Sequence, residues 1–269
     1  MKFGNWFGEK SEFKGNLRFA CGCHQGLRRE NNEDNFYFDG QYMPEDNHGL
    51  PDIIVKEISG EDQGVAAVFD GMGGMDFGEL AAYTAAETMR DFLTEETDIN
   101  QRDIPSLLDE LCRIISRKVF QAGMSHGSGK TGTTFAGLYF CNGQVWVCNI
   151  GDSPIYLLRD GKMIQVSEEH TDAEFVRAHK LNRKPWLTQY LGVDPEEMQI
   201  RAYIKNDAVK YGDRFLICSD GLTDMVSEQE ICNILAEGKK PEVTVKKLIN
   251  AALRGGGNDN ITVIICHVK

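Results

Sequence analysis

Aspartates recur in this chain at the ends of apolar runs, beside glycine. Asp70 ends VAAVFD before Gly71, and Asp152 follows Gly151 after VCNI. Asp220 follows FLICS before Gly221, with Asp224 four residues on. Asp259 stands just before the run ITVIICHV, and Glu33 and Asp34 just before NFYF. Such runs read as strands. Strand ends at one rim of a sandwich can converge, so carboxylates far apart in sequence could share one cleft. Glycine next to each lets the backbone turn sharply and lets carbonyls approach a ligand.

A donor set of oxygens without His or Cys selects hard cations: Mg²⁺, Mn²⁺ or Ca²⁺. Carboxylates gathered in one place repel one another unless cations neutralise them. Two such ions about 3.5–4 Å apart can hold a water between them, lower its pKa and orient a phosphoryl group for in-line attack. A single Asp-Gly is ordinarily a turn. The same pairing at successive strand ends is harder to explain by turns alone.

The elements that must carry these residues can be read in order. Strands are predicted at 17–23, 35–38 and 64–70, then helices at 79–93 and 105–123, the second opened by Pro105 and stopped by Gly123. Asn142-Gly143 and Asp160-Gly161 each join two apolar runs as tight hairpins. A strand at 214–219 precedes two helices. Ser227 and Glu230 form a capping box for the first, which Gly238 ends; Pro241 opens the second, which Gly255 to Gly257 end. The last strand is 261–268. This order does not alternate as βαβ, so an α+β fold of antiparallel sheets with helix pairs packed outside is expected. The polar stretch 40–63 reads as a surface excursion, and 171–197, with Thr171 and Glu174 as a capping box, as a mobile flap.

The chain has 269 residues, 29 Lys and Arg against 41 Asp and Glu, and a net charge of −12. It reads as one domain over 1–269, long enough to bury a core without staples. The acidic balance argues against nucleic acid and against an anionic membrane surface as partners. No run of about 18 apolar residues marks a membrane span. The N-terminus lacks the apolar stretch of a signal peptide, so a cytoplasmic monomer is expected. The eight cysteines include no C-x-x-C pair and read as buried free thiols. Cys21, Cys23 and His24 are spaced too tightly for a structural zinc site. GSGKTGT at 127–133 lacks the first glycine of a P-loop, which falls on Met124, and has a helix where a strand should precede. His170 and His179 read as hydrogen-bonding or surface residues, Trp146 as core, and Trp186 as an anchor of its segment.

The motifs R-x-x-N-E-D (29–34), D-G-M-G-G (70–74), G-T-T (132–134), G-D-S (151–153), S-D-G-L-x-D (219–224) and D-N-I-T (259–262) occur in one order along the chain. Together they resemble the metal-dependent type 2C serine/threonine protein phosphatases, the PPM family, over about residues 17–268. The resemblance implies a four-layer α-β-β-α sandwich with a dinuclear Mn²⁺ or Mg²⁺ site between the sheets. It implies Asp70 as the ligand shared by both ions, Asp220 and Asp259 as ligands of the first, and Glu33 and the Gly71 carbonyl as contacts of the second. It implies Arg29 as the phosphate-binding arginine and Asp34 as the acid that orients metal-bound water. Asp152 and Asp224, with Asp220, match a third metal site found in some members. Phosphoproteins, with a cognate serine/threonine kinase or its targets, are the implied partners. Two departures stand out. Met72 replaces a histidine that protonates the leaving group in eukaryotic members, which makes the match closer to bacterial ones, and Pro154 stands where arginine is frequent. A phosphatase for small phosphate esters and a pseudophosphatase binding module are the competing expectations.

Overall fold

The computed structural model describes residues 15–60, 62–72, 77–95, 103–127 and 130–269. Gly73 and Gly74 of the D-G-M-G-G motif, residues 128–129 of GSGKTGT and the first 14 residues lie outside them. In chain order the described elements are β1 (Asn16–His24), β2 (Asp34–Phe38), β3 (Ile54–Ser59), β4 (Gly64–Asp70), α1 (Gly78–Glu95), α2 (Ile104–Ser125), β5 (Phe135–Cys141), β6 (Gln144–Ile150), β7 (Ile155–Arg159), β8 (Lys162–Gln165), α3 (Ala173–Ala178), β9 (Tyr203–Ala208), β10 (Arg214–Cys218), α4 (Asp220–Thr223), α5 (Glu228–Ala236), α6 (Pro241–Arg254) and β11 (Ile261–Val268).

These strands form two antiparallel sheets, one of six strands in the order β3-β1-β11-β10-β7-β8 and one of five in the order β2-β4-β5-β6-β9. Side chains alternate across each strand, and the inner strands are buried on both faces. Phe215 and Ile217 of β10 and Ile264 and Cys266 of β11 meet Val68 of β4 and Leu138 and Phe140 of β5 in a core between the sheets. The opposite faces of β10 and β11, with Leu216, Cys218, Val263 and Ile265, take the apolar sides of α5 and α6. Those of β4 and β5, with Phe69, Phe135 and Tyr139, take α1 and α2. The fold is the expected four-layer α-β-β-α sandwich.

Local chemistry sets most boundaries. Asn142 and Gly143 (φ 52° and 70°) and Asp160 and Gly161 (51° and 74°) supply the positive angles of their turns. The Ser227 hydroxyl accepts from the Glu230 N–H at the start of α5, and Pro241 opens α6. Four expectations need correction. Helix α2 runs through Gly123 to Ser125 and is capped by His126, because Gly123 packs in a helical conformation against the core. The excursion 40–63 contains a strand, β3, paired to the edge of β1. Strand β9, on the outer edge of the second sheet, lies where no strand is expected from the sequence. In the flap, α3 starts after Asp172 and the Thr171/Glu174 box does not form, because Asp172 is engaged by Arg183 and by the Trp186 N–H.

Candidate functional site

Strand direction brings the predicted residues to one rim. β4 ends at Asp70 directly opposite Asp34 at the start of β2. β10 ends where β11 begins, which puts Ser219 and Asp220 beside Asp259 and Asn260. β1 ends against the start of β11, so the 25–33 loop carrying Arg29 and Glu33 hangs over the same edge. Asp152 follows β6 there.

The contacts cross between the two sheets. The Asp220 N–H donates to Asp70 Oδ2 at 3.4 Å. Arg29 donates through Nη2 to Asp259 Oδ2 at 2.8 Å and through Nη1 to Glu33 Oε2 at 3.2 Å. The Gly71 N–H donates to the Glu33 carbonyl at 3.0 Å. A side chain at Gly71 would place its Cβ 2.4 Å from that carbonyl oxygen, so only glycine allows this approach. The structure thus brings Glu33, Asp34, Asp70, Gly71, Asp220, Asp259 and Arg29 to one rim. Asp152 and Asp224 face an adjoining cleft with Asp220, Glu169 and Lys184.

Electrostatic cost accompanies this gathering. Asp34 is 2 % exposed, and burial, with Asp259 and Asp220 nearby, pushes its carboxyl up to about 7. Burial and the neighbouring aspartates raise Asp70 well above the usual carboxylate range. Asp152 is pushed up to about 6 by burial and by Asp220, and burial raises Asp220 and Glu33 as well. Lys184 and Arg29 pull the other way on Asp220 and Glu33 respectively. Among the described residues no three His, Cys, Asp or Glu side chains close into a ready-made cage. Two of the chain's own cations lie on the carboxylates instead. All the candidate ligands are oxygens, held near one another against their mutual repulsion, and that set fits hard divalent cations.

Supporting residues are present as letters of the motifs, without a role that the sequence assigns. Ser219 and Thr262 each donate a hydroxyl to Asp34 Oδ2 at 2.7 Å. Thr134 accepts the Asp70 N–H at 3.1 Å, and its hydroxyl meets that of Ser153 at 2.7 Å. Asn260 accepts the Glu33 N–H at 2.8 Å and donates to the carbonyls of Gln25 and Asn31, which ties the arginine loop to the start of β11. Lys184 escapes sequence reasoning, and nothing in its surrounding sequence marks it.

The remaining candidates resolve plainly. His170 Nδ1 accepts from the Gly151 N–H, and His179 stacks on Phe175. Trp146 packs against the helix-side core, whereas Trp186 is 68 % exposed and covered by Arg183. The Cys23 sulfur accepts from Asn32 and Thr262, and the eight cysteines are free. A separate cavity under α2, lined by Arg113, Arg117 and Met198, contains none of the carboxylates above.

Residues 51–253 match the family described as protein phosphatase 2C. The serine/threonine protein phosphatase PstP of Mycobacterium tuberculosis is 29% identical over 264 residues, which cover 94% of this chain. The chain spans 45% of the length of that relative. The serine/threonine phosphatase stp of Listeria innocua is 30% identical over 214 residues, covering 76% of this chain and 84% of that protein. A solved structure of the PstP catalytic domain in complex with two manganese ions superposes with a TM-score of 0.73 at 27% identity, covering 94% of this chain and 99% of that one.

Proposed function

The chain belongs to the protein phosphatase 2C family, and from that premise we propose that it hydrolyses phosphoserine and phosphothreonine in proteins, in a reaction dependent on Mn²⁺ or Mg²⁺. One observation carries the reading. A single guanidinium, Arg29, bridges carboxylates 4 and 230 residues away, at the rim where Asp70 and Asp220 also meet. That pairs a phosphate-binding group with a hard-cation donor set.

Asp70, Asp220 and Asp259, with Glu33 and the Gly71 carbonyl, would hold two cations, and Asp152 and Asp224 with Asp220 an outer third. When bound, such ions activate a water and neutralise charge developing on the phosphoryl group. The chain's own residues do the rest. Arg29 can grip two phosphoryl oxygens with its planar fork. Asp34, its Oδ2 fixed by two hydroxyls, orients the attacking water through its other oxygen. Thr133 and Thr134 hold the Asp70 backbone on both sides. Met72 cannot deliver a proton, so the leaving alkoxide takes one from water or from another residue.

The reading treats residues 1–269 as one phosphatase domain. Among the described residues no helix is long and apolar enough to cross a membrane, in keeping with a cytoplasmic enzyme opposing a serine/threonine kinase. The test is turnover of phosphoserine, phosphothreonine and phosphotyrosine peptides, and of p-nitrophenyl phosphate, with Mn²⁺ and with EDTA. Hydrolysis of the first two peptides that EDTA abolishes and Mn²⁺ restores is expected. Turnover confined to the small ester, or undiminished in excess chelator, would refute it.

A further inference from the structure

Lys184 sits against the outer carboxylates. Its Nζ donates to Asp220 Oδ2 at 2.6 Å and to Asp224 Oδ2 at 2.9 Å. The residues around it are also bonded to one another. The Asp172 N–H donates to the Trp186 carbonyl at 3.0 Å, and the Thr188 N–H to the His170 carbonyl at 2.8 Å, which ties the two ends of the 170–188 segment together. The Asp172 carboxylate also receives the Trp186 N–H at 2.7 Å and the Arg183 guanidinium, which lies 3.8 Å over the Trp186 ring. Pro185 follows, with its fixed φ. A side chain delivered from such a framework loses less freedom on pairing than one on a loose loop. The His170 N–H and ring both bond Gly151, so the segment is also fastened to the loop that carries Asp152.

We infer that Lys184 is a tethered counter-cation that competes with a divalent ion for Asp220 and Asp224. The inference rests on the reading that Asp152, Asp220 and Asp224 can hold an outer ion. An ammonium and a divalent ion within bonding distance of the same carboxylate oxygens repel each other strongly, so each weakens the other's hold there. At low metal the lysine neutralises the pair and holds the 170–188 segment down beside α4. At high metal the ion takes the carboxylates, the lysine leaves, and the segment loses that attachment. Lys184 is therefore a residue that sets the metal response of the site.

Calorimetric titration of the full chain with Mn²⁺ tests this, on wild type, Lys184→Gln, Lys184→Arg and Asp224→Asn. The weak phase should tighten about three- to tenfold in Lys184→Gln, the scale set by two partly exposed ion pairs. It should stay near wild type in Lys184→Arg and vanish in Asp224→Asn, with the tight phases unchanged. A weak phase lost in Asp224→Asn but unmoved in Lys184→Gln would overturn the competition and leave the outer site standing. A weak phase that survives Asp224→Asn, or is absent from both wild type and Lys184→Gln, would overturn both. Trypsin supplies a readout free of binding heats, because Arg177 and Lys180 are exposed on the same segment and the bond before Pro185 resists cleavage in either variant. Mn²⁺ should speed cleavage there several-fold in wild type, while Lys184→Gln should be cut fast without metal. Protection of wild type by Mn²⁺ would count against the idea.

Discussion

At the scale of single residues, Asp34 and Arg29 share one rim but differ in burial. Asp34 is enclosed, and its carboxyl is pushed up to about 7, chiefly by desolvation. Between about pH 4 and 7 the folded metal-free chain then keeps a proton that the unfolded chain has released, so stability falls as pH rises through that window. Asp34→Asn keeps an acceptor for Ser219 and Thr262 and removes the charge. Metal-free Asp34→Asn should be more stable than wild type at pH 8, by on the order of 2–4 kcal/mol, and indistinguishable from it near pH 4. Urea melts at the two pH values measure this, and equal stability of the two proteins at pH 8 would contradict it. Arg29 is half-exposed and already spans Glu33 and Asp259, so under the proposed function a phosphoryl group would meet a guanidinium held in position. Loss of a charge-assisted pair made in ground and transition states alike should raise KM about ten- to a hundredfold in Arg29→Ala with kcat much less affected. Steady-state kinetics that match wild type would make Arg29 a surface residue. Both residues are legible in the sequence, but only as letters of an ordered motif set. The hydroxyls that grip Asp34 are legible as letters without a role, and Lys184 is not legible, because a lysine in an irregular segment carries no periodicity.

Among the elements, what can be read in advance follows burial. Strands β4, β5, β6, β10 and β11 are covered on both faces, so their sequences are nearly continuous apolar runs and announce themselves. The edge strands β3 and β9 are exposed or half-buried at every position, offer no apolar period, and read as loop. Turn chemistry is similarly plain where a positive φ is required and hidden where tertiary contact decides. The Thr171/Glu174 box fails because a distant arginine captures Asp172. One close approach between elements bears directly on the site. A Cβ on Gly221, in the first turn of α4, would lie 1.9 Å from the Asn260 carbonyl oxygen and 3.3 Å from the Asp259 Cβ. Gly221→Ala must therefore push α4 away from the start of β11 and part Asp220 from Asp259. A stability loss of about 1–3 kcal/mol is expected from overpacking, with a larger, more than tenfold, fall in kcat/KM. Gly161→Ala is the control. Gly161 has φ 74°, and a Cβ placed there would meet no atom within 4 Å, so the substitution should lose about 1 kcal/mol of stability and no activity. Equal kinetic effects of the two substitutions would show that the close approach is not what sets the carboxylate spacing.

The whole molecule places its carboxylates on both sheets. Asp34, Asp70 and Asp152 come from the five-stranded sheet, and Asp220 and Asp259 from the six-stranded one. The layer that holds the sheets in register also sets the site, and cations bound across the gap should in turn hold the sheets together. Phe140 is central to that layer. It is 2 % exposed and meets Phe19 edge-on at 5.6 Å and Phe215 at 5.5 Å, both on the facing sheet. Phe140→Ala should cost about 3–5 kcal/mol, a large share of the total for a domain of this size. Because bound ligand stabilises only the folded chain, Mn²⁺ at a hundred times its dissociation constant should return about 2.7 kcal/mol per site to wild type and variant alike. The net charge of −12 makes the effect of a cation larger at low salt than at high, since part of it relieves diffuse repulsion that salt also screens. Thermal unfolding followed with and without Mn²⁺ at two ionic strengths separates these contributions. If the sheets are bound into one cooperative unit through this core and this site, Phe140→Ala melts in one transition that Mn²⁺ shifts upward. Two separate transitions, with the metal moving neither, would mean that the halves fold independently and that the cations do not bridge them.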